Sequence, residues 1–268
     1  MEFHKMHGLG NDFIVIDSRH QDLALATCDW QQMANRREGI GCDQILVLAD
    51  DDTGATAAYQ VWNADGTAVE QCGNGIRCLA MYLNDRGEGN DGKITLSGPA
   101  GNIHIECMDD GFYRVNMGQP SFDGNNLPVH MKPQNGLFPL DTASGSVLIG
   151  AASMGNPHAV IVDRPDFDAQ LGAEISSHPA FPDGCNAGFA NVINRGEISL
   201  EVFERGTGPT LACGTGACAA VAVLRLIDRV DERVVVGQPG GRLVIEWRGI
   251  GKDLWMSGPA VYVYKGQR

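Results

Sequence analysis

Positive charge is in short supply in this sequence: its 268 residues carry 20 Lys and Arg against 33 Asp and Glu, a formal net charge of −13. That sign does not suit extended contact with a phosphate backbone, where basic patches release counterions, so no nucleic-acid partner is expected. Long hydrophobic runs are missing too. No stretch approaches the roughly 18 apolar residues that a bilayer span requires, so no membrane partner is expected either. Residues 1–13 have no basic start leading into an apolar core, which makes the expected location cytoplasmic. The eight cysteines include no C-x-x-C pair, so no metal site is expected, and in that compartment they start as thiols rather than as a disulfide framework. What is present, 43% apolar and 20% charged residues, is the balance of a globular protein with a real core. A small molecule is its expected partner.

The sequence repeats itself, block by block and in order, about 140 residues later. Leu9-Gly10-Asn11-Asp12 before Ile14-Val15-Ile16-Asp17 is answered by Met154-Gly155-Asn156-Pro157 before Val160-Ile161-Val162-Asp163. Gly41-Cys42-Asp43 is answered by Gly184-Cys185-Asn186, and Val61-Trp62-Asn63 by Val202-Phe203-Glu204. Cys72-Gly73-Asn74-Gly75 returns as Cys213-Gly214-Thr215-Gly216. Pro99, Ile103, Ile105 and Glu106 return as Pro239, Leu243, Ile245 and Glu246. Two homologous halves are inferred, residues 1–117 and 118–260, with a tail near 261–268 that packs back on the first half.

Short β-branched or alternating runs bounded by Gly, Asp and Pro predict strands at 45–48, 58–62, 102–106, 113–117, 197–203, 233–236 and 243–247. After Cys72, Ile76, Leu79, Ala80 and Leu83 fall at helical spacing up to Asp85-Arg86-Gly87. After Cys213, Ala217 to Ile227 is apolar on nearly every side, as in a buried helix. The expected class is α/β, each half a mostly antiparallel, curved sheet around one central helix that begins just after a Cys-Gly-x-Gly.

A helix N-terminus leaves N–H groups unpaired and carries partial positive charge, and glycines let a ligand approach. A cysteine placed there is expected to gain thiolate character, its pKa lowered from about 8.5. Two such cysteines in equivalent places of homologous halves would face one another. Inverting a stereocentre needs a base on one face of the carbon and an acid on the other, and Cys72 and Cys213 could supply both. The N–H groups of Gly73, Asn74, Gly214 and Thr215 would then stabilise developing charge. Pyridoxal phosphate is the usual electron sink for such chemistry. The lysines are Lys5, Lys93, Lys132, Lys252 and Lys265, none beside the motifs, so no cofactor is expected.

Blocks 5–13, 39–44, 63–66, 72–78, 155–160, 178–182, 204–206 and 211–218 together resemble the diaminopimelate epimerase family, from residue 2 to about residue 264. The resemblance implies two pseudo-symmetric α/β domains with the site between them, and interconversion of LL- and meso-diaminopimelate on the way to lysine and peptidoglycan. It assigns Cys72 and Cys213 as the catalytic thiols. Asn11, Gln44, Asn63, Asn156 and Asn186 become substrate-binding amides, and Glu204-Arg205 the binding pair, Arg205 suiting a bidentate carboxylate contact. His158 and Glu204 become residues that tune the thiols, and Tyr264 a contact of a homodimer. The sequence departs from the family at Asp183-Gly184-Cys185, which lacks the usual Glu-Arg after the proline, and at Cys42.

Other readings stand beside this one. A proline or hydroxyproline racemase-like enzyme shares the two-thiol design but has His where this chain has Asn74. An isomerase of the phenazine-synthesis type does not keep the thiol pair. A non-catalytic amino-acid-binding protein or a thiol redox protein would exchange no substrate hydrogen with solvent.

Overall fold

The computed structural model describes residues 1–268 except 22, 24, 26, 27, 70–72, 124–126, 128–136 and 165. The chain divides into two compact units, Met1–Asn116 with Ser257–Arg268, and Met117–Met256.

The first unit holds β1 (Glu2–Gly8), β2 (Asn11–Asp17), the short helix α1 (Trp30–Ala34), β3 (Gln44–Ala49) and β4 (Ala57–Asn63). Next come β5 (Ala68–Val69), helix α2 (Gly73–Asn84), β6 (Lys93–Gly98), β7 (Gly101–Cys107) and β8 (Tyr113–Asn116). The second unit runs through β9 (Phe138–Thr142), β10 (Gly145–Ser153), β11 (Pro157–Val162), α3 (Ala169–Ser176), β12 (Asn186–Asn194) and β13 (Glu197–Glu204). It continues with β14 (Gly208–Thr210), α4 (Gly214–Leu226), β15 (Arg233–Gln238) and β16 (Gly241–Glu246). Within β17 (Trp255–Gly258) the chain re-enters the first unit, which β18 (Val261–Gln267) completes.

Each unit has the same pairing plan. Antiparallel neighbours are broken by two parallel pairs, β2 with β3 and β4 with β6 in one unit, β11 with β12 and β13 with β15 in the other. Parallel strands need a crossover, and the helices α1, α2, α3 and α4 lie on these crossovers in turn. Strands flanked by helices on both faces must be apolar on both faces. Ile14, Ile16, Ile45 and Val47 pack with Trp30 and Met33 of α1, while Phe13 and Leu46, pointing the other way, meet Gly75 of α2. Both central helices are buried nearly all round. The outer edge of each sheet is also equivalent: β9 pairs antiparallel with β10, and β18 pairs antiparallel with β1.

The predicted strands and both central helices are present, but α2 and α4 start at Gly73 and Gly214, inside the Cys-Gly-x-Gly motifs rather than after them. Leu9 and Gly10 both have positive φ (58° and 86°) and form the two-residue hairpin turn between β1 and β2. Among the described residues no helix is long and apolar enough to cross a membrane.

Candidate active site

In the first unit the turn into α2 is held from beneath. Cys72 lies outside the described residues. Asn74 is buried, and its Nδ2 donates to Asn11 Oδ1 at 3.3 Å, tying the helix start to the β1–β2 hairpin. Asn11 Nδ2 donates in turn to Asp43 Oδ2 at 3.0 Å, and the Arg36 guanidinium holds Asp43 Oδ1 at 2.7 Å. Gln44 and Asn63 stand opposite each other on β3 and β4, Gln44 Nε2 donating to Asn63 Oδ1 at 3.0 Å. At the start of α2 lies Arg77, fully buried, which sequence reasoning passed over. It donates to Asn74 Oδ1 (3.0 Å) and to the carbonyls of Gly73 (3.4 Å) and Pro259 (3.1 Å). The signal for it was the arginine one helical turn after Asn74 in Cys-Gly-Asn-Gly-Ile-Arg.

The second unit repeats this frame with different side chains. Cys213 is the N-cap of α4, its backbone extended (φ −120°, ψ 113°), and its Sγ accepts the N–H of Gly216 at 3.3 Å. Thr215 Oγ1 lies 3.6 Å from Sγ and accepts from Asn156 Nδ2 at 3.4 Å. Asn156 Oδ1 is 3.1 Å from His158 Nε2, so that ring nitrogen carries the hydrogen. Glu204 accepts the Thr210 hydroxyl at 2.6 Å and hydrogen-bonds the thiol of Cys213. Asn186 Oδ1 accepts the backbone N–H of Arg205 at 2.9 Å, and the Arg205 guanidinium donates to the Asp183 carbonyl. The unusual Asp183-Gly184 segment is therefore in contact with the guanidinium expected to take a carboxylate. Gly184, with φ +68°, also leaves room for it: a Cβ there would lie 3.0 Å from Arg205 Cδ.

The second glycine of each motif is a close-approach position. A Cβ at Gly75 would lie 3.0 Å from both methyls of Leu46, and one at Gly216 would lie 3.2 Å from Cys213 Sγ and from Val202 Cγ2.

Electrostatics correct one expectation. The helix N-terminus was expected to lower the thiol pKa, but Cys213 is pushed well above the ordinary cysteine range, first by burial and then by the Glu204 carboxylate. The Thr215 and Gly216 hydrogen bonds pull the other way and do not win. Cys213 therefore rests as a protonated thiol at neutral pH. His158, fully buried and near Arg205, is held down to about 3 and stays neutral. Tyr264 is on β18, 46% exposed, its ring edge-on to Phe3 at 6.1 Å.

The family model for diaminopimelate epimerase matches residues 3–122 and 150–263. The diaminopimelate epimerase of Thioalkalivibrio sulfidiphilus (strain HL-EbGR7) is 46% identical over 272 residues, 99% of this chain and 98% of that one. Among solved structures, a hydroxyproline epimerase from Agrobacterium vitis with bound trans-4-hydroxy-L-proline superposes with a TM-score of 0.71 at 17% identity, covering 99% of this chain and 91% of that one. A PhzF-family phenazine biosynthesis protein of Bacillus anthracis gives 0.70 at 15% identity, covering 99% and 98%. At such identities these two show the fold alone. Fold and sequence thus define an isomerase built on a duplicated α/β unit. Within that class, the chain belongs to the diaminopimelate epimerase family.

Proposed function

We propose that this epimerase inverts one α-carbon of diaminopimelate, LL to meso and back, with Cys72 and Cys213 acting as base and acid on opposite faces of that carbon. The observation that carries the reading is the state of Cys213: a thiol kept protonated by burial and Glu204, with the Gly216 N–H and the Thr215 hydroxyl ready to stabilise it once the proton has left. Such a group delivers a hydrogen in one direction and, as the thiolate, removes one in the other. Asn11, Gln44, Asn63, Asn156 and Asn186 bind the substrate's amino and carboxylate groups, with Glu204 and Arg205 as the charged pair. The N–H groups of Gly73, Asn74, Gly214 and Thr215 receive the charge that builds up on deprotonation. His158, neutral, tunes the thiol through Asn156 and Thr215 rather than by its own charge.

The test is isotopic. With LL-diaminopimelate in D₂O, product of the first turnovers is expected to carry deuterium at the inverted carbon while unreacted substrate stays protiated. Protium returned to early product would mean a single base and end the two-thiol reading. L-Proline run in parallel separates this enzyme from a proline racemase, and is expected to be inert.

The family resemblance supports a cytoplasmic homodimer with Tyr264 in the contact, and the half-exposed tyrosine on β18 is compatible with that. Sedimentation at micromolar concentration is expected to return the mass of two chains, and less of it for Tyr264→Ala.

A further inference from the structure

Nothing in the sequence pattern singles out Gln238, the last residue of β15. It is nine-tenths buried, and its Oε1 accepts the backbone N–H of Cys213 at 2.8 Å. That bond fixes the amide's orientation, because only the oxygen can accept. It turns Nε2 the other way, where this buried donor has no hydrogen-bond partner among the described residues. An amide left half satisfied in the interior is a poor packing choice, since an apolar side chain of similar size would fill the space without the orphan.

The equivalent place in the first unit is held by a glycine. The β6–β7 hairpin closes with Gly98 opposite Gly101, and the β15–β16 hairpin closes with Gln238 opposite Gly241. A Cβ at Gly98 would lie 2.2 Å from the Tyr59 ring. The Tyr59 ring takes up that space in the first unit, so a glutamine at the hairpin closure belongs to the second unit's hairpin.

That turn has a specific need. As N-cap, Cys213 has its own N–H outside the helix ladder, in a place where the residue is only 4% exposed. Gln238 supplies the acceptor. Gly240 N–H also donates to the Leu211 carbonyl at 2.7 Å, so the hairpin tip grips the segment leading into the turn at two points.

We propose that Gln238 is a positioning residue for the epimerisation. It holds the Cys213 backbone so that the thiol stays beside the Gly216 N–H and the Thr215 hydroxyl while its proton is transferred. The inference rests on the reading of Cys213 as an acid–base thiol.

Three variants tested together decide it: Gln238→Met, Gln238→Glu and Cys213→Ser, each by steady-state kinetics with diaminopimelate, a pH–rate profile and thermal unfolding. Gln238→Met exchanges one buried orphan donor, Nε2, for another, the Cys213 N–H, so its thermal midpoint is expected to move little. Its kcat is expected to fall roughly tenfold to a hundredfold with KM within about twofold, the scale of a small displacement of a reacting group. Gln238→Glu keeps an oxygen for the Cys213 N–H and is expected to regain most of that kcat. Its added acidic group should move the thiol limb of the pH profile upward. Wild-type kcat in Gln238→Met overturns the proposal. Equal losses in both Gln238 variants, with a lowered midpoint and an unmoved pH profile, also overturn it and leave Gln238 a packing residue. Turnover retained by Cys213→Ser would instead remove the reading on which the proposal rests.

Discussion

At the start of α2, the helix residue Asn74 donates its side-chain hydrogen to the hairpin residue Asn11; at the start of α4, the loop residue Asn156 donates to the helix residue Thr215. The link is the same and its direction is reversed. Because Thr215 accepts, its own hydrogen is left able to point at Cys213 Sγ. Other equivalent positions differ in the same sense. Phe13, paired with Gln44, corresponds to His158, paired with Asn186, so strand pairing sets Asn186 against Gln44, one residue on from the Asp43 that the sequence repeat matched to it, and Asn63 corresponds to Glu204. Both helix starts carry amides and a charged network, Arg77 and Asp43 with Arg36 in the first unit and Glu204 with Arg205 in the second; at these strand positions the second unit has a carboxylate and an imidazole where the first has an amide and a phenyl ring. Duplication preserved the frame, in which strand order, crossover helices and turn glycines recur, and left the side chains facing the turn free to diverge. The contribution of each half is thus set by a few positions, and those positions can be exchanged.

The sharpest test of inequality between the halves is to remove each thiol. Cys72→Ala and Cys213→Ala are each expected to lower turnover by about 10³ to 10⁴, the upper range for a positioned acid or base. Near-normal turnover by either would show that one half alone suffices. Glu204→Gln comes next. With the neighbouring negative charge gone, the Cys213 thiol should ionise at lower pH, so its alkylation by iodoacetamide should set in earlier on a pH series, and turnover should fall about a hundredfold. An unmoved alkylation profile would show that burial alone sets the thiol's state.

His158→Phe copies the first unit's Phe13 into the second. Losing the bond to Asn156 is expected to lower turnover roughly tenfold, the scale of one buried hydrogen bond. It also changes acid stability. His158 takes up a proton in the unfolded chain below about 6.5 but in the folded one only near 3, so it costs the native state stability as pH falls between those values. The slope is at most about 1.4 kcal/mol per pH unit. The variant should lack that component, seen as a smaller loss of unfolding midpoint between pH 6.5 and 4; equal losses would show that His158 is charged in the native state. The smallest effect belongs to Arg195→Ala, which breaks exposed ion pairs to Asp228 and Asp231 far down the second unit's surface. Unfolding midpoint and turnover should stay at wild-type values, because such pairs contribute little in water.

Much of this frame was legible in the sequence. Strands such as β7 and β16 alternate, and the α4 run is apolar all round, so pattern alone locates them. The strands β2, β6 and β11 were left out of that reading, β2 and β11 having been read only as parts of the repeat; other missed pieces have a weak pattern. α1 and α3 are short and start at Asp29 and Asp168 caps, and β10 ends in small residues, Gly150-Ala151-Ala152, buried through tertiary packing. At the site, the amides were legible through the family resemblance, since alone each reads as an ordinary surface or turn residue. Arg77 was not, because a buried arginine on a helix looks like a surface one until the surrounding strands are placed. The ionisation of Cys213 was misjudged for a related reason. A helix start is visible in sequence, whereas the depth of burial and the nearness of a carboxylate from β13 are tertiary facts.

The edge pairing of the first unit places Glu2 opposite Gln267, almost the full length of the chain apart. During synthesis β1 is followed directly by its partner β2 through the Leu9-Gly10 turn, but its other edge waits for β18, which is made only after the whole second unit. Until then a row of unpaired N–H and C=O groups stands open on a ribosome-bound intermediate, the kind of edge that recruits other chains. The second unit has no such wait, since β9 precedes β10 by a short turn. The nascent chain is therefore exposed to misassembly along β1 for as long as the intervening second unit takes to make, and the first unit can finish folding only after β18 has followed it.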